Sequence, residues 1–422
     1  MTFELKYFLK ILCFMLIFPL LNGQEYTLIK AKWVFDGQDF QNNKVVLIKG
    51  DSIVAFDEER KITIAPNCKR LNFPEGTLMP GMIEGHAHML LHPYNETSWN
   101  DQILLESQAE RSIRGAIHAQ KTLLAGFTTV RDLGSEGAEY ADVGLKESIN
   151  KGIVHGPRLL VAGKAIVTTG SYGPKGFAAH VQVPSGAEEA DGHDNLIKVV
   201  RDQIGHGADV IKVYADYRWG MLLTAMPTFT QKELETVVEV TKSSGRVVVA
   251  HAASEEGMRR AIMAGVHTIE HGDAGTPEIF KLMKENGVAL CPTLAAGDAV
   301  SQYKGWKKGV DPEPERIKEK RHSFKMALEA GVTIVAGGDV GVFSHGDNVR
   351  ELEMMVDYGM APLDVLRSVT AVNAKVFGLN HLGEIKTGKL ADLVVVKGNP
   401  LENISVLREI EMVMLGGKVV VK

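Results

Sequence analysis

The chain has few cysteines, no excess of basic residues and no repeated or low-complexity segment. Its three cysteines are Cys13, Cys68 and Cys291. Because we assign the last two to different domains, we expect no disulfide framework. Acidic residues outnumber lysine and arginine by 52 to 47, which gives a net charge of -5 without a basic stripe and argues against nucleic acid as a partner. The lack of a Gly-x-Ser-x-Gly motif disfavours a serine-nucleophile hydrolase.

Long apolar runs are also scarce, and the run near the N-terminus is short. Residues 11–21 are apolar, follow Lys6 and Lys10, and precede a brief polar stretch that ends near Gly23. This order is typical of a secretory signal peptide, which we assign to residues 1–23. The run is short for a membrane span, so an uncleaved anchor is the less favoured alternative. We expect an exported protein, periplasmic or secreted, without a stable membrane anchor after cleavage.

Residues 79–88 form an apolar run that ends in two histidines separated by one residue. On a strand, side chains alternate between the two faces, so His86 and His88 project to the same side and can share one metal ion. An isolated pair of this kind is weak support, because a polar strand end has the same pattern. Further candidate ligands in later strands strengthen the interpretation.

Seven more β-rich apolar runs follow, alternating with stretches of helical periodicity such as residues 230–244. They begin at residues 127, 158, 209, 246, 267, 289 and 333. Eight short, nearly continuous apolar runs alternating with helices predict an α/β protein with a parallel (β/α)8 TIM barrel. A doubly wound sheet is the alternative. With 45% hydrophobic and 23% charged residues, the 46.0 kDa chain suits one large domain with an appendage.

Polar residues interrupt these runs where a barrel enzyme places its chemistry, toward the carboxyl ends of the strands. They are Lys212, His251, His271 and Asp339. A buried charge or imidazole without a partner is costly, and metal coordination offsets that cost. For Lys212 the alternative is an ion pair with Asp209 or Asp216, and for Asp339 it is a turn residue among glycines.

One segment also matches a different metal-binding motif. His267-x-x-Glu270-His271 fits the inverted zinc-peptidase pattern, in which two histidines one helical turn apart bind zinc. Glycines bracket the segment at the length of a strand, so we favour a strand. Glu270 then faces the surrounding helices or supports a ligand.

The ordered set His86-x-His88, Lys212, His251, His271 and Asp339 resembles the binuclear amidohydrolase superfamily. The flanking residues 78–88 and 382–396 are also similar, so the resemblance extends over roughly residues 26–420. Within the superfamily, residues 211–215, 250–252 and 268–272 most resemble the branch of imidazolonepropionase-like hydrolases and Xaa-Pro dipeptidases.

The resemblance implies two divalent metal ions, with zinc expected, bridged by a carbamate formed when carbon dioxide carboxylates Lys212. One ion would bind His86, His88, the carbamate and Asp339. The other would bind His251, His271 and the carbamate. A bridging water would become a hydroxide nucleophile, and Asp339 would take its proton and pass it to the leaving amine.

The two ends of the chain are rich in short strands and turns without helical periods. We therefore predict a small β-sandwich domain built from residues 24–77 and 385–422, with the metal-dependent hydrolase barrel in residues 78–384. We find no ligand set in the sandwich segments and expect a structural role for them.

The expected reaction is hydrolysis of an amide bond in a small molecule, most simply an Xaa-Pro type dipeptide or an N-acyl amino acid. Tyr214 and His180 are the predicted substrate-binding residues. Residues 216–220 depart from the small Ser-Gly-Gly run frequent in the family, which leaves fine specificity open. The alternatives are a cyclic amide, carbamate or lactone at the same metal site, or a binding protein without catalysis. We also expect a homo-oligomer.

Overall fold

The computed structural model describes residues 26–178 and 180–421, so the predicted signal peptide lies outside the described residues. Strands and helices alternate through most of the chain. The strands are β1 (Tyr26–Phe35), β2 (Phe40–Gln41), β3 (Lys44–Lys49), β4 (Ser52–Glu58), β5 (Lys69–Pro80), β6 (Met82–Ala87), β7 (Phe127–Asp132), β8 (Arg158–Val161), β9 (Ile166–Val167), β10 (Glu188–Glu189), β11 (Ile211–Tyr214), β12 (Asp216–Arg218), β13 (Ala225–Pro227), β14 (Val248–Ala252), β15 (Thr268–His271), β16 (Ala289–Cys291), β17 (Leu393–Lys397), β18 (Ile410–Leu415) and β19 (Lys418–Val421).

The helices lie mainly between the central strands. They are α1 (Trp99–Leu104), α2 (Gln108–Leu124), α3 (Ala141–Asn150), α4 (His193–Gly205), α5 (Gln231–Lys242), α6 (Glu255–Ala264), α7 (Pro277–Asn286), α8 (Leu294–Tyr303), α9 (Glu315–Ala330), α10 (Val349–Asp357), α11 (Pro362–Arg367) and α12 (Asn373–Val376). No helix in the described part of the chain is both long and apolar enough to cross a membrane.

Strands from both ends of the chain form one mixed sheet. Its order is β19-β18-β17-β5-β1-β3-β4, with β2 beside β1. Apolar side chains from both ends share a core that includes Ile29, Leu71 and Val395. The β-sandwich predicted for these segments stays a prediction, and their strands are hydrogen-bonded continuously into one sheet. The reason is β5, whose twelve residues are enough to pair in parallel with β1 and antiparallel with β17.

The central strands are parallel and lie in two sheets. One has the order β6-β7-β8 and the other β10-β9-β11-β14-β15-β16. A backbone hydrogen bond links β8 of the first sheet to the residues just before β11 of the second, since the Asp209 N–H donates to the Val161 carbonyl at 2.8 Å. The predicted α/β class is confirmed. Because the parallel strands of the described residues do not form one continuous ladder, the closed (β/α)8 barrel stays a prediction.

The run of residues 333–339, predicted as the eighth strand, forms an isolated parallel bridge at Ile334, and a second such bridge follows just beyond it at Val340. Backbone bonds still tie the run to both neighbouring strands, since the Val335 N–H donates to the Leu290 carbonyl and the Gly85 N–H donates to the Ala336 carbonyl, both at 2.9 Å. A side chain serves the Ala336 N–H. The Asn373 amide accepts a hydrogen bond from the Ala336 N–H at 3.0 Å and donates to the carbonyls of Ala336 and Ile83, both at 2.8 Å. These bonds satisfy the backbone where the chain leaves extended geometry to reach the predicted ligand that follows.

Capping residues define the start of α5, and a glycine follows its end, before the next strand begins. Thr230 caps α5 in a capping box with Glu233, as expected at the start of the periodic stretch, and Gly245 adopts φ +73° just beyond the helix. The following strand, β14, starts at Val248 and carries His251 near its carboxyl end. Local sequence thus positions a predicted ligand.

We predict that Asn373→Leu destabilises the fold by about 1–3 kcal/mol, because leucine has similar size but leaves the buried Ala336 N–H without its acceptor and removes the two bonds that the amide donates. Urea unfolding would measure the loss. Asn286→Leu is the control, since Asn286 is exposed at the end of α7 and makes one bond to a nearby carbonyl; its effect should stay below about 0.5 kcal/mol. Equal losses in the two variants would contradict the bridging role.

Candidate metal centre

The predicted ligands converge from separate elements. His86 lies in β6 with His88 just beyond it, Lys212 lies in β11, His251 in β14 and His271 at the end of β15. The strand at residues 268–271 also excludes the helical zinc-peptidase interpretation. Parallel pairing aligns these strands, with Tyr214 opposite His251 and Ala252 opposite His271. The carboxyl ends therefore meet on one side of the sheet.

Four imidazole rings form a continuous group. The ring centroid of His86 lies 5.4 Å from that of His88 and 5.3 Å from that of His271. The ring centroid of His251 lies 4.4 Å from that of His271. Burial is the main cause that lowers the pKa values of His86, to about 4, and of His251, to about 3, and it also lowers that of His271. Neutral imidazole is the form that binds metal ions.

Asp339 completes the first candidate site. Its Oδ1 lies 3.3 Å from His88 Nε2 and 3.6 Å from His86 Nε2, and the three side chains offer ligand atoms within 4.8 Å of one another. Burial opposes ionisation of both groups, but their proximity raises the pKa of His88 and lowers that of Asp339. The pair therefore attracts a cation, either a proton or a metal ion.

The backbone at two predicted ligands is left-handed. His271 has φ +80° and Asp339 has φ +62°, conformations that residues other than glycine adopt rarely and at a cost of about 1–3 kcal/mol each. Gly338, immediately before Asp339, leaves room for the ring of Phe343, because a Cβ on residue 338 would lie 3.1 Å from Phe343 Cζ. Strain of this kind is concentrated at functional sites.

Lys212 is fully buried inside β11, and its Nζ has no hydrogen-bond partner within the described residues. Burial lowers the pKa of its ammonium despite the nearby acidic groups Glu270 and Asp339. The ion-pair alternative is wrong. Asp209 instead binds Lys146 at 2.7 Å, and Asp216 accepts from the backbone of residues 253 and 254.

Protein acceptors hold the outer nitrogen of three rings. His86 Nδ1 lies 2.8 Å from Glu270 Oε2, His88 Nδ1 lies 2.9 Å from the Gly134 carbonyl, and His271 Nδ1 lies 2.7 Å from Thr293 Oγ1. Such contacts fix the tautomer and direct Nε2 toward the centre. Glu270 is therefore a supporting group, one of the two roles expected for it.

Glu270 also belongs to a second group of potential ligands, with His86 and Cys291. Two observations disfavour it as a separate site. Arg131 donates to Glu270 Oε1 at 2.9 Å, so the carboxylate already has a cationic partner. Burial raises the pKa of the Cys291 thiol, which opposes formation of the thiolate that binds metals.

A cavity of about 630 Å³ opens onto the group. The four histidines, Asp339 and Tyr214 line it, whereas Lys212 does not. Tyr214 stacks on His251 with ring centroids 4.6 Å apart, and its ring centroid lies 5.5 Å from Lys212 Nζ. Tyr214 thus lies beside the proposed ligands, as its predicted contact with substrate requires.

The structure does not bring His180 to this group. Its side chain is exposed and does not line the cavity, so its predicted substrate role has no geometric support. Sequence reasoning missed Glu136 and Tyr172, which do line it. Glu136 follows β7 by four residues, and an inspection of every strand-to-helix loop by the barrel rule would have drawn attention to it.

The sequence profile of the amidohydrolase family matches residues 77–420. The chain belongs to this family. Members of the wider superfamily generally use divalent metal ions, in agreement with the histidine-rich centre, and the hydrolases described next act on amide bonds. The family match and the histidine-rich site therefore both identify this amidohydrolase as an enzyme that hydrolyses its substrate.

Individual relatives cover almost the whole chain. An ochratoxinase from Aspergillus niger is 30% identical over 435 residues, covering 93% of this chain and 86% of the relative. A crystal structure of a Xaa-Pro dipeptidase with methionine bound in its active site matches with a TM-score of 0.83 and 33% identity, covering 94% of this chain and 100% of that one. A prolidase complexed with N-methylphosphonate-L-proline has a TM-score of 0.79 and 28% identity, with the same coverage.

We predict that Glu270→Gln lowers zinc affinity by about tenfold to a hundredfold, because the neutral amide orients His86 less firmly and leaves Arg131 without its ionic partner. Titration against a competing chelator would measure the affinity. Glu278→Gln, at an exposed position on α7, is the control and should bind zinc normally. Unchanged affinity in a folded Glu270→Gln variant would show that the carboxylate does not support the ligand.

Proposed function

We propose that this amidohydrolase cleaves the amide bond of a dipeptide or an N-acyl amino acid at a binuclear metal centre, with Xaa-Pro dipeptides as the first candidates. One observation carries the proposal: four imidazoles, a carboxylate and a buried lysine converge beside one cavity, and the lysine Nζ has no hydrogen-bond partner in the described part of the chain. The Xaa-Pro dipeptidase, prolidase and ochratoxinase relatives support this substrate class. We also infer that the parallel strands close into a (β/α)8 barrel.

The donor set fits two divalent ions, with zinc as the expected metal. His86, His88 and Asp339 would hold one ion, His251 and His271 the other, and carboxylated Lys212 would bridge them. A carbamate replaces a buried ammonium with an anion, which resolves the lack of a partner at Lys212 Nζ. When bound, such ions polarise a carbonyl and lower the pKa of a bound water.

Asp339 has the geometry to move a proton. It borders the cavity beside the rings of His86 and His88, within reach of a water and of an amide placed there. As the carboxylate it would accept the proton of the attacking water, and it would then donate that proton to the departing amine nitrogen. Neutral amine is a better leaving group than an amide anion, so this transfer completes bond cleavage.

The cavity wall supplies charges that suit a substrate carboxylate. Arg218, Lys304 and Arg316 line it in addition to the proposed ligands. Dipeptides and N-acyl amino acids carry a carboxylate on the amine side of the cleaved bond, whereas neutral lactones and cyclic amides do not. The charged wall therefore favours the first substrate class. The signal-like residues 1–23 support action outside the cytoplasm, in the periplasm or the medium.

The test is a substrate panel with purified protein supplied with zinc and bicarbonate. Xaa-Pro dipeptides and N-acyl amino acids should be hydrolysed faster than lactones, carbamates and cyclic amides.

Asp339→Asn should keep most of the zinc but lower turnover at least about a hundredfold, because the amide cannot carry the proton. Asp194→Asn, on an exposed residue, is the control. Preference for uncharged cyclic substrates, or normal turnover by Asp339→Asn, would overturn the respective assignment.

We predict that Lys212→Ala lowers the zinc content to well below that of the parent protein, because the bridging oxygens are lost. Acetate or propionate should restore part of both zinc and activity by filling the space. Metal analysis of the purified variants gives the readout, with Lys198→Ala on the exposed face of α4 as control. A Lys212→Ala protein that keeps its full zinc content would contradict a bridging carbamate.

A further inference from the structure

A buried carboxylate that the proposed chemistry does not use lies in the same cavity. Glu136 is 3% exposed and lines the cavity. Trp99 Nε1 and the Tyr172 hydroxyl donate to its Oε2 at 2.9 and 2.6 Å, and the Tyr214 hydroxyl donates to its Oε1 at 3.2 Å. We call these four residues the Glu136 subsite. Three donors from three separate segments fix the carboxylate in place.

The backbone beneath the carboxylate is held in a rare conformation. Glu136 has φ +49°, in the left-handed region. The buried guanidinium of Arg111 donates to the Glu136 carbonyl at 2.7 Å and to the Ser135 carbonyl at 3.0 Å. Arg111 therefore uses these donors to shape the loop, and the structure maintains a strained backbone beneath a carboxylate that lines the cavity.

The hydrogen bonds that Glu136 accepts within the protein do not require a charged side chain. Within the described residues, its carboxylate forms no ion pair, and its three donors are neutral. A glutamine could accept the same hydrogen bonds without the cost of burying a charge. A buried anion that faces a ligand cavity is best explained by a cationic group on the ligand.

The subsite adjoins the proposed metal centre. A Cβ built on Gly134 would lie 3.4 Å from Glu136 Oε1 and 3.5 Å from His88 Cε1, so the carboxylate and a proposed ligand flank the same small space. The carbonyl to be cleaved must lie at the ions. In a dipeptide, the carbon next to that carbonyl carries the α-ammonium, which would then fall on the side where Glu136 lies.

We propose that Glu136 binds the α-ammonium of the substrate, so that the enzyme selects dipeptides with a free N-terminus over N-acyl amino acids. This proposal rests on the proposed function and narrows its substrate class. The carboxylate forms a charge-assisted hydrogen bond with the ammonium, while a cationic side chain elsewhere in the cavity lining, such as Arg316, is available to the substrate carboxylate. The two charges of a dipeptide zwitterion would thereby set its direction in the cavity.

The experiment compares Met-Pro with its desamino analogue, which has hydrogen in place of the ammonium. The parent enzyme should favour Met-Pro by at least about tenfold in kcat/KM, the effect of a charge-assisted bond to substrate. In Glu136→Gln this preference should fall to about twofold or less, chiefly through loss on Met-Pro. Glu139→Gln, at an exposed position in the same loop, should retain the preference. Equal losses on both substrates in Glu136→Gln would overturn the proposal.

Binding measurements separate this proposal from the proposed function. Calorimetry with methionine and with 4-(methylthio)butanoate, which lacks only the ammonium, needs no turnover. The parent protein should bind methionine more tightly, and Glu136→Gln should not discriminate. If neither Met-Pro nor its analogue is cleaved but methionine is still preferred, the proposed function fails and the subsite remains. Tighter binding of the butanoate by the parent, or loss of zinc in Glu136→Gln, would assign Glu136 to the metal centre instead.

Discussion

The buried chain from Arg131 through Glu270 to His86 is the interaction on which the site depends. Arg131 neutralises Glu270 and also donates to the Gly85 carbonyl at 2.7 Å, so one side chain ties β7 to β6 and β15. Burial would raise the pKa of Glu270, but Arg131 and His86 hold it well below the usual range. The resulting permanent negative charge orients His86 and allows imidazoles to gather where solvent is excluded.

The parts of the site that follow from strand periodicity were predictable. His86 and His88 share a face because side chains alternate, and a lysine inside an apolar strand indicated an unusual role for Lys212. The conformation of residues 333–339 was not predictable, because at Ala336 the side chain of Asn373 takes the place of a backbone acceptor. Asn373 lies in a helix and also bridges to Ile83, 290 residues earlier. Apolar composition alone cannot reveal such a replacement.

Loop residues were the other limit. His180 was selected by residue type, yet its side chain lies in solvent, and Glu136 was overlooked because a carboxylate after a strand is common on protein surfaces. What distinguishes Glu136 is the convergence of Trp99, Tyr172 and Tyr214, which belong to distant parts of the chain. The α/β class, in contrast, follows from local patterns repeated many times, so no single error alters it.

The position of β5 bears on how a growing chain acquires its structure. β5 leads through Pro80 and Gly81 directly into the histidine-bearing strand β6, and one of its edges pairs with β17, from Leu393 to Lys397. During synthesis that edge has no partner until residues 393–397 have left the ribosome. An unpaired strand edge invites association with other chains. The mixed sheet therefore leaves one edge of β5 open until β17 has been made, and conditions that limit contact between nascent chains during that interval should favour correct folding.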